Sequence, residues 1–209
     1  TAIEKAILEP KALDEEIEFV LKTAGEYLHK PPTRANILSV FVGIRPLVKA
    51  NDSKNTASLS RDHTIEIDNS GMLTITGGKW TTYRRMAEDA INQAAMLAKL
   101  PEKDCVTKDL KIYQTPKNEG ELLHPDFEYT VGDVICAVRE EMARTIEDVL
   151  ARRLRILFLN AKVADELAPQ IAEIMAKELG KNETWKAEQV QTFHDVAKNY
   201  LVASRDKAH

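Results

Sequence analysis

The stretch TGGKWTTYRRMA, residues 76–87, places two glycines after a strand-like run and a lysine before a helix-like one. Glycine has no Cβ, so the main-chain N–H groups of Gly77 and Gly78 can come close to a ligand. The helix start that follows carries N–H donors without acceptors and a partial positive charge. Lys79 adds a full charge, and Thr81 and Thr82 add hydroxyls, which together make a cradle for an anion. The alternative is a tight turn with a solvated lysine and threonines that only cap the helix. On this stretch alone the two readings stand level. The spacing is not that of a Walker loop, and no G-x-G-x-x-G occurs among the eight glycines. The part that would grip a dinucleotide pyrophosphate is therefore absent from this sequence.

Two arginines add to the pattern. Arg45 sits in VGIRPLV, at the end of a strand and before a proline, and Arg61 stands in LSRDHT, ahead of an alternating stretch. Arginine at a strand end is well placed to bind phosphate with two parallel hydrogen bonds. An ordinary pair with Asp52 or Asp62 explains either arginine as well, and on spacing alone that reading is favoured. Both arginines and the glycine cradle fall within one short segment, which strengthens the functional reading.

The elements that must position these residues follow from periodicity. KALDEEIEFVLKTAGEYL reads as a helix with Leu13, Ile17, Val20 and Leu21 on one face, stopped by Pro31 and Pro32. Residues 35–48 are β-branched and aromatic and predict a strand. HTIEID, NSG and MLTIT predict a β-hairpin over 63–76. Residues 81–99 predict a helix with the stripe Met86, Ala87, Ala90, Ile91, Ala94, Leu97 and Ala98, ended by Pro101. Residues 101–118 read as an extended connector. The remainder reads as helical. TVGDVICAVREEM is one helix, and a second opens at Thr145 with Asp148 three residues on, as a capping box. Its stripe is Ile146, Val149, Leu150, Leu154, Leu157 and Phe158. Pro169 is expected to start a further helix that Gly180 closes, and Thr184 to cap a last one. Arg153 falls inside an apolar stripe and needs a partner, for which Glu140 or Glu141 is the candidate. The fold class is thus α+β: a partial antiparallel-sheet portion, then an all-α C-terminal domain. The boundaries expected are 1–100, 101–118 as connector, and 119–209.

Composition narrows the function classes. The chain is 44% hydrophobic and 30% charged with a formal net charge of −4, so no broad basic footprint for nucleic acid is present. No apolar run approaches bilayer length, and the start has no signal-peptide pattern. Cys105 and Cys136 form no C-x-x-C pair and read as packing residues of a reduced, intracellular protein. The five histidines show no metal-ligand spacing, and no metal is expected. The first residue is Thr1, so a piece of something longer is expected.

VGIRPLV, SRDHTIEID and ITGGKWTTYRRMAEDA together resemble the C-terminal half of FAD-dependent glycerol-3-phosphate dehydrogenases of the aerobic type. The pattern G-G-K-x-T-x-Y-R-x-x-A is filled by Gly77, Gly78, Lys79, Thr81, Tyr83, Arg84 and Ala87. VICAVREEMARTIEDVLARRLRILFL resembles that family's C-terminal helical domain. The FAD-binding glycines and the upstream residues that take the substrate proton in the family are not here. The resemblance implies a fragment in which residues 1–100 complete a substrate-covering sheet and an FAD domain begun upstream. It implies that Arg45 and Arg61 bind the phosphate of glycerol 3-phosphate. It also implies that Gly77, Gly78, Lys79, Thr81, Thr82 and Arg84 serve the flavin side, and no residue of this chain is assigned as catalytic. FAD as cofactor, membrane quinone as acceptor and a peripheral location at the inner face of the cell membrane belong to the same implication, as does room for a homo-oligomer. The isolated chain is expected to be colourless and inactive, with the hinge open towards a flavin and not filled by its own side chains. An iron–sulfur-containing anaerobic subunit is disfavoured by the two cysteines. Two other readings remain: a helical interaction module without catalysis, which predicts no orphan apolar face in the first half, and a related FAD-dependent amine or hydroxy-acid oxidase.

Overall fold

A computed structural model describes residues 7–44, 63–112 and 119–202. Arg45, Arg61 and residues 45–48 of the expected strand lie outside the described residues. Contacts divide the chain into two compact units, Thr1–Gly43 with Pro116–His209, and Ile44–Thr115. This partition is not the one drawn from composition, because the first described segment packs with the C-terminal helices and not with the hairpin. The architecture is α+β, with a small antiparallel sheet and a helical C-terminal portion.

In the larger unit, helix α1 spans Asp14–Tyr27 and has no buried residue. Its face of Ile17, Val20 and Leu21 borders an apolar recess of about 500 Å³ shared with Ile37, Val40 and Phe41. The expected strand over 35–48 is not formed by its described residues: Arg34–Asn36 make a 3₁₀ turn, and Ile37–Gly43 run extended without a strand partner. The polar groups of this segment go to helix ends instead. Leu38 O accepts the Ala161 N–H at 3.0 Å, the Val40 N–H donates to Tyr200 O at 2.9 Å, and the Ser39 hydroxyl donates to Leu157 O at 2.7 Å. Helix ends carry unsatisfied main-chain groups, so an extended segment satisfies them as well as a strand would.

Among the described residues the core lies in the C-terminal helices and the segments that join them, Leu123 and Ala143 included. Helix α3 (Val131–Arg139) is capped by Thr130, whose hydroxyl accepts the Asp133 N–H, with Asp133 returning to the Thr130 N–H. It ends earlier than its apolar pattern suggests. Met142 turns to φ +59°, and the Arg144 guanidinium caps the carbonyls of Val138 and Ala143 at 3.0 and 2.7 Å. The capping box at Thr145 and Asp148 forms as expected, with Asp148 N to Thr145 Oγ1 at 3.1 Å and Thr145 N to Asp148 Oδ2 at 3.0 Å.

The helix it opens is not continuous. A π-helical turn spans Asp148–Arg153, Arg155 adopts φ +60°, and the short helix α4 (Ile156–Leu159) follows. The Leu154 N–H reaches back to Val149 O, and the Arg153 guanidinium takes the Asp148 and Glu141 carbonyls. Arg153 thus meets Glu141 through its main chain, while the nearby carboxylate is Asp148, at 3.7 Å. The wider turn keeps Val149, Leu150, Leu154 and Leu157 all buried. Burial of Ile156 and Leu157 favours packing over a membrane-facing role for the stretch after the arginine cluster.

Helix α5 (Ala161–Leu179) runs through Pro169, which therefore does not start a helix. Pro169 is exposed, and Leu167, Ala168, Ile171 and Ala172 stay on the buried face. Tertiary packing of that face outweighs the one main-chain bond that proline removes. Gly180 closes α5 at φ +62°. Helix α6 (Glu183–Ala197) is capped by Asn182, whose side chain accepts the Trp185 N–H at 3.0 Å, and not by Thr184.

In the smaller unit, β1 (His63–Ile67) pairs antiparallel with β2 (Leu73–Gly77), with His63 opposite Gly77, Ile65 opposite Ile75 and Ile67 opposite Leu73. Asp68 closes the turn: its Oδ1 accepts the N–H groups of Ser70 and Met72, and Gly71 takes φ +85°. A 3₁₀ turn at Trp80–Thr82 leads into helix α2 (Tyr83–Leu97). Residues 101–112 form no helix or strand. No described residue of this unit is buried, and Ile91, in the middle of the α2 stripe, is 67% exposed. An amphipathic helix gains stability by covering such a stripe, and here the described residues leave it open.

Candidate functional site

The glycine hinge has the conformation its sequence implies. Gly77 and Gly78 take φ +77° and +78°, values that cost an L side chain about 1–2 kcal/mol. The strand ends there, and the chain turns through Lys79 into the 3₁₀ turn and α2. The N–H groups of Trp80 and Thr81 lead that turn, where helical geometry supplies no acceptor. Lys79, Thr81 and Thr82 are exposed. The Thr82 hydroxyl is committed inside the turn: it accepts the Lys79 N–H at 3.2 Å and donates to Lys79 O at 3.0 Å. Trp80 is 85% exposed and stacks on Tyr83 with ring centroids 5.3 Å apart.

One side of the hinge is filled by the chain itself. A Cβ on Gly78 would collide with the thioether of Met86, one turn into α2, and would lie 3.4 Å from His63 Cβ. Glycine at 78 is favoured by its positive φ, and a Cβ there would also displace the flexible Met86 thioether, so the hinge is not free of the chain's own side chains as expected.

The other signature residues are tied down locally. Arg84 pairs with Glu88 at 2.9 Å and donates to Thr107 at 3.4 Å, which anchors the 101–112 segment to α2. Arg85, next to it, pairs with Glu88 at 3.3 Å and Asp89 at 3.2 Å, as i,i+3 and i,i+4 neighbours on a helix do. Cys105 is not a core residue. Its sulfur lies 3.8 Å from Arg84 and 3.0 Å from the Thr107 hydroxyl, and hydrogen bonds from Thr107 hold the thiol below its ordinary range. Sequence reasoning missed His63 and Asp89, whose Nε2 and Oδ2 are 3.1 Å apart. The only signal for the pair was that His63 shares the apolar face of β1 with Ile65 and Ile67.

These groups suit an anion or the electron-rich edge of a planar ring: an exposed ammonium, leading N–H donors and a main chain without Cβ atoms. The flavin implied by the sequence resemblance offers such an edge at its pyrimidine end.

Comparison with known proteins identifies the class. Residues 73–190 match the family described as the C-terminal domain of alpha-glycerophosphate oxidase. The chain belongs to that family, and the matched range includes the glycine–lysine hinge and helices α2 to α5. Among individual proteins, it is 34% identical to a probable mitochondrial glycerol-3-phosphate dehydrogenase of Caenorhabditis elegans over 90% of this chain and 33% of the relative. It is 32% identical to the mitochondrial glycerol-3-phosphate dehydrogenase of Rattus norvegicus, over 88% of this chain and 32% of the relative. A probable glycerol-3-phosphate dehydrogenase of Encephalitozoon cuniculi is 32% identical over 84% of this chain and 36% of its own length. The chain thus spans about a third of the length of these curated relatives.

Proposed function

We propose that this chain is the substrate-phosphate and flavin-edge portion of an FAD-dependent enzyme that oxidises sn-glycerol 3-phosphate to dihydroxyacetone phosphate and passes the electrons to a quinone. The observation that carries the reading is the family match together with relatives named as glycerol-3-phosphate dehydrogenases. The geometry supports it in two ways. The hinge presents Lys79 and the leading N–H groups at one exposed point. No residue of α1, the hairpin or α2 is fully buried, and Phe19, Val20, Ile91 and Met96 stand exposed, as expected of elements that complete a fold with further polypeptide. That exposure also speaks against a self-contained interaction module.

In this reading Arg45 and Arg61 bind the phosphate. Charge-assisted hydrogen bonds contribute about 1.5–3 kcal/mol each, so two favour the phosphate ester over glycerol by roughly 10²–10⁴. Lys79 and the N–H groups of Trp80 and Thr81 lie along the flavin's pyrimidine edge. FAD supplies the hydride acceptor when bound. The residues of this chain favour negative charge beside it, and a helix start worth up to about 2 kcal/mol corresponds to a potential raised by on the order of 40 mV. No described helix is long and apolar enough to cross a membrane.

The test is the polypeptide encoded around this chain, assayed for glycerol-3-phosphate-dependent dye reduction. A G-x-G-x-x-G after a strand is expected upstream of Thr1. Arg45→Ala and Arg61→Ala should each raise the apparent KM for glycerol 3-phosphate roughly ten- to a hundredfold. Values within about threefold of the unsubstituted enzyme would overturn the phosphate assignment.

A further inference from the structure

His63 is the point at which the strand, the hinge and the helix of the smaller unit meet. It is the cross-strand partner of Gly77, and its Nε2 reaches Asp89 Oδ2 on α2 at 3.1 Å. Asp89 is itself held, since its other oxygen takes the Arg85 guanidinium at 3.2 Å. We propose that the His63–Asp89 pair is a positioning clamp that sets the angle of helix α2 to the hairpin, and with it the direction in which the hinge presents Lys79.

Two features make such a clamp necessary. The chain passes from β2 to α2 through consecutive glycines at positive φ, the residues with the widest conformational choice. The main chain alone therefore does not hold the helix direction. Nor does a core, because no described residue of this unit is buried. Among the described residues, the His63–Asp89 pair is a side-chain tie between β1 and α2, while Met86 of α2 lies against the turn at Gly78. The two side chains are only 19% and 27% exposed, so solvent screens them less than an open surface pair. Beside them lies an open recess of about 330 Å³ lined also by Ile65, Asn92 and Gln93. That space lets the helix tilt once the pair is lost. Arg61 stands two residues before His63 in the sequence, so the strand that the clamp holds begins just after one proposed phosphate ligand.

The inference rests on the proposed function for its consequence, but its test needs neither flavin nor substrate, so the two can fail separately. The readout is amide hydrogen exchange of Lys79 and Thr82 in the ¹⁵N-labelled 209-residue chain, with urea unfolding of the helical unit as control. His63→Leu and Asp89→Leu should each accelerate exchange at both amides by at least about tenfold while the urea midpoint holds. The double variant should be no worse than either single one, because both remove the same contact. His63→Gln, whose amide can still donate to Asp89, should stay within about threefold of wild type. If the leucine variants unfold the smaller unit altogether, His63→Gln decides: retained protection supports the clamp. Wild-type exchange in His63→Leu, additive effects in the double variant, or His63→Gln as fast as His63→Leu would overturn it.

Discussion

Asp148 is where the helical unit is most open to a single quantitative test. Its Oδ2 accepts the N–H groups of Arg144 and Thr145, both at 3.0 Å, and its Oδ1 faces Arg152 at 3.3 Å and Arg153 at 3.7 Å. Partial burial raises its pKa, but the Arg144 N–H, the Thr145 hydroxyl and N–H, and the Arg152 charge outweigh that and hold the carboxyl below its ordinary range. Hydrogen bonds to a charged group contribute about 1.5–3 kcal/mol each. The side chain is 23% exposed, so water recovers part of that when the carboxylate is removed. Asp148→Ala should therefore destabilise the helical unit by about 2–4 kcal/mol at pH 7, more than the ~1 kcal/mol of an ordinary cap. A carboxyl whose folded pKa lies below its unfolded one stabilises above the unfolded value, near pH 4, and loses that contribution as pH falls through the folded value. The gap between wild type and Asp148→Ala in urea unfolding followed by circular dichroism should thus hold from about pH 7 to 5 and narrow below about pH 4. A difference under about 0.5 kcal/mol at pH 7, or one that does not change down to about pH 3, would refute the reasoning.

Gly78→Ala should destabilise the hairpin–helix junction by about 1–2 kcal/mol, chiefly from the positive φ, since the Met86 thioether it meets is the flexible end of a side chain. Adding Met86→Ala should recover only the steric part, while Gly43→Ala, where a Cβ meets nothing, should be near neutral; exchange at the hinge amides separates the three. Asn182→Ala should cost about 1 kcal/mol in unfolding of the helical unit, since it removes the α6 cap. Thr184→Ala should be neutral or stabilising by up to about 0.7 kcal/mol, because alanine is the better helix former at a position that caps nothing.

Local signals in the sequence placed the hairpin, helix α2 and its glycine entry, the Thr145 cap and the Gly180 stop. Each depends on residues within a few positions of one another, so turn chemistry and periodicity are enough to specify them. The signature around Gly77–Gly78–Lys79 likewise led to the family before any distance was known.

What happened between distant residues was not legible in this way. The extended segment Ile37–Gly43 finds helix ends and no strand, because its partners are Leu157, Ala161 and Tyr200. Pro169 stays inside α5 because the buried face on either side of it outweighs its missing N–H. The stripe from Ile146 to Phe158 breaks at Arg155, and Arg153 turns to Asp148 and the Glu141 carbonyl. His63 meets Asp89 only after two glycines fold the helix back on the strand. Periodicity records which face of an element is apolar. It does not record what covers that face or which charge meets which, since those depend on contacts that form only once the whole chain is folded.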